Sequence, residues 1–121
     1  MPQVRIETRN HWLQGRNGAL FEAIQSALVE AIKIPVDDQC FRLITYDADH
    51  FPTPPGKTDR AMVIEITLVT GRTLDGKRAL YAAIAHNIKS LFGIEASDLR
   101  IVLEEVDREN WGINGRPASE L

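Results

Sequence analysis

Laying residue i over residue i+60 superposes the two halves of this 121-residue chain without a gap. Val4 falls on Ile64, Ile6 on Ile66, Ala19 on Ala79, Leu20 on Leu80, Phe21 on Tyr81, Ala23 on Ala83, Ile24 on Ile84 and Leu28 on Ile88. Further along, Ile34 meets Ile94, Asp38 meets Asp98, Leu43 meets Leu103 and Asp47 meets Asp107. Polar and apolar positions both coincide, so the pattern is a duplication and not merely a shared periodicity. Two copies are too few for a solenoid. The expectation is a single domain over residues 1–121, built from pseudo-repeats 2–47 and 62–107 with a tail at 108–121.

Each unit reads strand, helix, strand. Val4, Ile6 and Thr8 alternate with Gln3, Arg5 and Glu7, the period of a half-buried strand. Leu20, Phe21, Ile24, Ala27, Leu28, Ala31 and Ile32 recur at helical spacing, and Pro35 ends the run. Phe41 and Leu43 then alternate with Cys40, Arg42 and Ile44. In the second copy Met62 to Val69 is the strand and Thr73 is the helix N-cap. Leu80, Tyr81, Ile84, Ile88 and Leu91 form the helical stripe, Gly93 caps its end, and Leu99 to Val106 is the last strand. Asp47 to Arg60, which holds Pro52, Pro54 and Pro55, reads as an irregular connection.

Right-handed βαβ crossovers make the two strands of each unit parallel. Joining the units about a pseudo-twofold through antiparallel first strands gives an α+β fold, a four-stranded mixed sheet with both helices on one face. The start of the first strand then lies beside the end of the third. Pro2, Asp38, Gly71-Arg72 and the tail carrying Trp111, Gly112, Gly115 and Arg116 all fall at that edge. The opposite edge receives their blander mates Met62, Asp98 and Trp12. The helix-free face presents Ile44, Tyr46, Val63, Val102 and Val106 among Arg5, Glu7, Arg42 and Glu65, too much apolar surface to leave wet. Closed oligomerisation is the expected remedy.

Composition narrows the function classes. A net charge of −3 argues against a nucleic-acid partner, which needs a basic face. No apolar run is long enough to span a bilayer, and the charged, strand-like start does not read as a signal peptide. The lone Cys40 fits a reducing compartment and reads as a buried, inert strand thiol; a cytoplasmic domain is expected. His11, His50 and His86 lack metal-ligand spacing, and Gly71 and Gly76 lack the phosphate-loop pattern, so neither metal nor cofactor is expected.

Pro2 carries the chemistry. Removal of Met1 would make it the amino-terminal residue and expose a ring secondary amine whose φ is fixed. Pro2 opening a βαβ duplication, Asp38 before the second strand and the Thr-Gly-Arg-Thr turn at Thr70 to Thr73 together resemble the tautomerase superfamily. With the Asn-Trp-Gly-Ile-Asn-Gly-Arg run from Asn110 to Arg116, the chain looks most like the malonate semialdehyde decarboxylase branch. The resemblance spans nearly the whole chain and implies a homotrimer with an amino-terminal proline catalyst. It also implies arginines that bind a small carboxylate substrate.

Residue by residue, Pro2 matches the catalytic proline, and Asp38 the carboxylate that activates water and orients the proline. Arg72 matches the second of the decarboxylase's two substrate-binding arginines, and Trp111 an aromatic of the carboxy-terminal segment. Arg116 is a further substrate-binding candidate from the same run. The first arginine has no counterpart, because the turn has Thr70-Gly71 and is one residue shorter.

The resemblance implies cofactor-free acid–base chemistry on small oxo acids, either keto–enol tautomerisation or decarboxylation and hydration. Burial and Arg72 favour a neutral Pro2 amine, whereas an ionised Asp38 favours the charged form, so both modes stay open. Two other readings stand beside the enzyme: an oligomeric small-acid-binding module with a silenced site, and a ferredoxin-like regulatory domain, whose strands intercalate instead of joining as adjacent units.

Overall fold

The computed structural model describes residues 2–121. Its first unit comprises β1 (Gln3–Arg9), α1 (Asn17–Ile32) and β2 (Phe41–Tyr46); its second comprises β3 (Met62–Val69), α2 (Leu74–Phe92) and β4 (Leu99–Val106). The sheet order is β2-β1-β3-β4, with β1–β2 and β3–β4 parallel and β1–β3 antiparallel. Adjacent βαβ units are therefore joined edge to edge, which excludes the intercalated ferredoxin-like arrangement.

The register places the pseudo-twofold. Along β1–β3, Val4 pairs with Ile66 and Ile6 with Ile64, so each pair is the symmetry image of the other. Between them Arg5 pairs with Glu65, its own mate in the repeat, and the axis passes through that pair. The two side chains form an ion pair on the helix-free face. On the other face Val4, Ile6, Ile64 and Ile66 are fully buried and share one core with Leu20, Ile24 and Leu28 of α1 and Leu80, Ile84 and Ile88 of α2.

Helix ends follow from local chemistry. Thr73 caps α2 by accepting a hydrogen bond from the Gly76 N–H at 3.0 Å, and Gly93 ends it in the left-handed region at φ 68°. α1 stops at Ile32, with Lys33 taking the same left-handed turn at φ 60°, two residues before Pro35. In α2 the buried positions Leu80, Ile84, Ile88 and Phe92 run every fourth residue. That line is narrower than the expected stripe, and Tyr81 and Leu91 fall on its flanks and are exposed. Cys40 is also exposed, contrary to expectation, because it precedes the edge strand β2 on the side opposite the half-buried Phe41.

The tail is more regular than its composition suggested. β5 (Gly112–Ile113) and β6 (Arg116–Pro117) form a hairpin through Asn114 and Gly115, both at positive φ (53° and 78°), the twisted two-residue turn that Asn-Gly favours. The helix-free sheet face carries Arg5, Glu7, Arg42, Ile44, Tyr46, Val63, Glu65 and Val102 as the pattern required, and Ile44 and Val102 are both 39% exposed. Among the described residues no helix is long and apolar enough to cross a membrane.

This division of labour predicts a hierarchy of stability effects. Ile6→Ala or Ile64→Ala should each lower the free energy of unfolding by about 2–5 kcal/mol. Arg5→Met, which removes an ion pair at a partly exposed position, should change it by about 1 kcal/mol or less. Urea unfolding at fixed protein concentration measures both.

Candidate active site

The start of β1 runs between the segment entering β2 and the end of β3. Val4 N–H donates to the Cys40 carbonyl at 2.9 Å, and Gln3 pairs with Thr67. Pro2, one residue upstream, is buried at this edge. Met1, on whose removal the proline chemistry depends, lies outside the described residues. Two residues before Cys40, the half-buried Asp38 closes a turn by donating its N–H to the Pro35 carbonyl at 3.1 Å. Its own carbonyl accepts a hydrogen bond from Gln25 Nε2 at 3.2 Å.

Arg72 leaves the end of β3 in an exposed turn, and its guanidinium donates to the carbonyl of Ile32, the last residue of α1. A helix C-terminus leaves carbonyls without intrahelical partners and carries partial negative charge, so a cation settles there. That contact uses one of the five guanidinium donors, and the planar fork suits a carboxylate. The Asp38 turn and Arg72 are thus both moored to the last two turns of α1.

Trp111 closes the adjoining side. With Gln3, Thr67, Val106, Asn110 and Gly112 it lines a cavity of about 230 Å³ on the helix-free face. Its carbonyl accepts from the Ala118 N–H at 2.8 Å, which folds the tail back. Arg116 is turned to its own segment: it is exposed, and its guanidinium donates to the Glu120 carbonyl at 3.0 Å. The fold therefore gathers Pro2, Asp38 and Arg72 at one edge with Trp111 beside them, and holds Arg116 within the tail.

The opposite edge has the same backbone plan and different contents. Met62 stands where Pro2 does, Trp12 where Arg72 does and Phe92 where Ile32 does. Trp12 packs edge-on against Phe92, with ring centroids 5.4 Å apart, and its Nε1 donates to Thr8 Oγ1 at 2.9 Å. Arg60 donates to the Phe92 and Gly93 carbonyls at 3.0 and 3.1 Å, while Arg16 donates to the Leu91 carbonyl and lies over the Phe92 ring. Asp98, 3% exposed, accepts from the Thr58 N–H at 2.7 Å and Thr58 Oγ1 at 2.5 Å. The cavity left beside it is about 30 Å³, room for about one water. The connection between the units has filled this end of the sheet, and Asp98 fastens that connection in place.

The helix-free face carries its own polar contacts. Tyr46 donates to Glu7 Oε1 at 2.5 Å on the helix-free face, a bond that raises its pKa above the usual phenol value. The hydrogen bond to Glu65 likewise raises that of Arg5. Asp47, Asp49 and His50 bring ligand atoms within 4.8 Å of one another, a grouping the histidine spacing did not suggest. All three are exposed and follow the far end of β2. Gln25 and Thr58 were missed by sequence reasoning; the only available signals were a glutamine within an apolar helical stripe, and the chemically symmetric Asp38 and Asp98, which demanded different partners.

Comparison with known proteins now bears on this arrangement. The family described as "Tautomerase enzyme" matches residues 38–114. The probable tautomerase YusQ of Bacillus subtilis is 33% identical over 126 aligned positions, covering 96% of each chain. A 2-hydroxymuconate tautomerase from Pseudomonas putida is 33% identical over 57 residues, 47% of this chain but 90% of that protein, as expected if it corresponds to one unit of the duplication. Among solved structures, fused 4-OT superposes with a TM-score of 0.88 at 23% identity, covering 98% of each chain. FG41 malonate semialdehyde decarboxylase superposes with a TM-score of 0.84 at 24% identity, covering 98% of this chain and 97% of that one. The chain belongs to the tautomerase family of enzymes. Its fold is the duplicated βαβ form that those two solved structures share.

The contrast between the edges predicts separable effects. Thr58→Ala deletes the hydroxyl that bonds the buried Asp98 carboxylate, leaving it only the backbone N–H of the pair, and should destabilise the protein by about 1–3 kcal/mol. Urea unfolding measures that loss, and turnover of the folded variant should stay at the wild-type rate.

Proposed function

We propose that the chain is a cofactor-free tautomerase that uses the Pro2 nitrogen, freed by removal of Met1, to move a proton on small oxo acids. The observation that carries this reading is the asymmetry of two equivalent edges. One is filled by Met62, Trp12 and the 47–61 connection, whereas the other carries Pro2, Asp38 and Arg72 at its strand ends, and Gln3, next to Pro2, lines a cavity with Trp111. Packing alone would fill both ends alike.

In this reading Arg72 exchanges the Ile32 carbonyl for a substrate carboxylate, gripping it with two parallel hydrogen bonds. The neutral Pro2 amine takes the hydroxyl proton of the bound enol, and the resulting ammonium returns it to the neighbouring carbon, giving the ketone. Burial of Pro2 supports the neutral amine at rest, and the Asp38 carboxylate supports the transient ammonium. Trp111 lines the neighbouring cavity with Gln3, where its indole would cover one side of a bound substrate. Tautomerisation is preferred to decarboxylation because the turn before Arg72 offers Thr70 and Gly71 and no second arginine. The exposed apolar residues of the helix-free face, Ile44 and Val102, support a homotrimer closed around that face.

Intact mass of the native protein should show the loss of Met1. With phenylenolpyruvate as probe, Pro2→Ala should lower turnover by about a hundredfold or more. Arg72→Ala should act mainly by raising KM, about tenfold or more. Full activity with Met1 retained would sink the mechanism, and carboxylate binding without turnover in the wild-type chain would make the protein a binding module instead. Light scattering should give three chain masses, and a monomer at micromolar concentration would refute the trimer.

A further inference from the structure

The buried stripe of α1 contains one polar side chain, Gln25, 3% exposed among Leu20, Ala23, Ile24, Ala27, Leu28 and Ile32. Its mate in the second unit is Ala85. Gln25 Nε2 donates to two carbonyls, Val36 at 3.4 Å and Asp38 at 3.2 Å. Both acceptors require the amide nitrogen to face them, which fixes the orientation of the group. Its Oε1 is then buried with no hydrogen-bond partner.

An orphaned buried acceptor is unfavourable. An apolar side chain of similar size would fill the same space without it, and the second unit does place an alanine there. That unit holds its turn before β4 from outside, through Thr58 and the Asp98 carboxylate. The first unit holds its turn from inside, through the Asp38 carbonyl, which accepts from Gln25; the Asp38 N–H bond to Pro35 has its counterpart in the Asp98 N–H bond to Glu95. The bonds at the Asp38 N–H and carbonyl fix its Cα and the direction in which its side chain departs.

We propose that Gln25 is a positioning residue that sets the Asp38 carboxylate relative to the Pro2 nitrogen. The proposal rests on the reading of Pro2 and Asp38 as the working acid–base pair. Gln25 acts only through Asp38. The Arg72 hydrogen bond goes to Ile32 and not to the Asp38 turn, so Arg72 is placed independently of Gln25 and can exchange that carbonyl for substrate when Gln25 is altered.

The test is a double-mutant cycle on phenylenolpyruvate ketonisation with Gln25→Met, Asp38→Asn and the double variant. Methionine keeps the length and helix preference of glutamine and deletes the donor. Gln25→Met should lower kcat about tenfold with KM within about twofold, since a small misplacement of a catalytic group has effects of that size. The double variant should be no slower than Asp38→Asn alone, because residues acting as a unit are not additive. Amide hydrogen exchange at Asp38 should quicken in Gln25→Met while the β1 core amides stay protected. A wild-type kcat in Gln25→Met, or losses that multiply in the double variant, would overturn the proposal. Gln25→Leu repeats the comparison if the methionine variant does not fold, and failure of both to fold would mark Gln25 as structural and overturn it too. Pro2→Ala, run in parallel, separates the two levels: an active Pro2→Ala removes the acid–base reading and this proposal with it, whereas an inactive Pro2→Ala with multiplying losses removes this proposal alone.

Discussion

The antiparallel pairing of β1 with β3 is the constraint from which the rest of the molecule follows. Its register sets Arg5 opposite its own repeat mate Glu65, so the two βαβ units are related by an axis through that pair. The ion pair on the axis is partly exposed and contributes little energy. The units are held by Val4, Ile6, Ile64 and Ile66 on the opposite face, buried under two helices that pack on each other. A slip of β1 by one residue against β3 would turn Val4 and Ile6 to the helix-free face and bury Arg5, so the hydrophobic pattern fixes the register. The same register brings the start of β1 between the end of β3 and the turn before β2, and thereby determines where chemistry can assemble.

A pseudo-twofold produces two such places, and the sequence treats them differently. At one, Trp12, Met62, Arg16 and Arg60 close the end of α2, and the long connection is fastened over it by Asp98 and Thr58. At the other, the end of α1 is met by a single arginine, and a buried proline stands at the threshold of the strand. Duplication supplies the scaffold twice, and the two copies have diverged in what stands at those ends. The membership of the tautomerase family and the duplicated fold of its solved relatives are consistent with that divergence.

Much of the fold was legible because the repeat supplied internal evidence that single elements lack. The limits of β3 and β4, the sheet order, Thr73 and Gly93 as caps and the composition of the bare face all followed from periodicity and from topology. What escaped depended on tertiary context. Tyr81 and Leu91 fit the helical period but sit at its flanks, where packing width and not spacing decides burial. Cys40 was read as a strand residue, yet it precedes an edge strand that no neighbour covers within the chain. That Pro2, Asp38 and Arg72 fall at one sheet edge followed from the topology, but the contacts that hold them there did not. A glutamine in an apolar stripe reveals its two carbonyl partners only after the turn has folded onto it, and nothing in the spacing of Arg72 shows that it bonds to Ile32.

The proposed chemistry turns on one atom, the nitrogen of Pro2. Nitrogen NMR of protein labelled with ¹⁵N-proline, followed through a pH titration alongside the pH profile of kcat/KM, observes it directly. A titrating secondary-amine resonance assigned to Pro2, with turnover rising as that amine loses its proton and sharing its midpoint, is the predicted result. A Pro2 nitrogen that does not titrate, or one whose midpoint bears no relation to the rate profile, would contradict it.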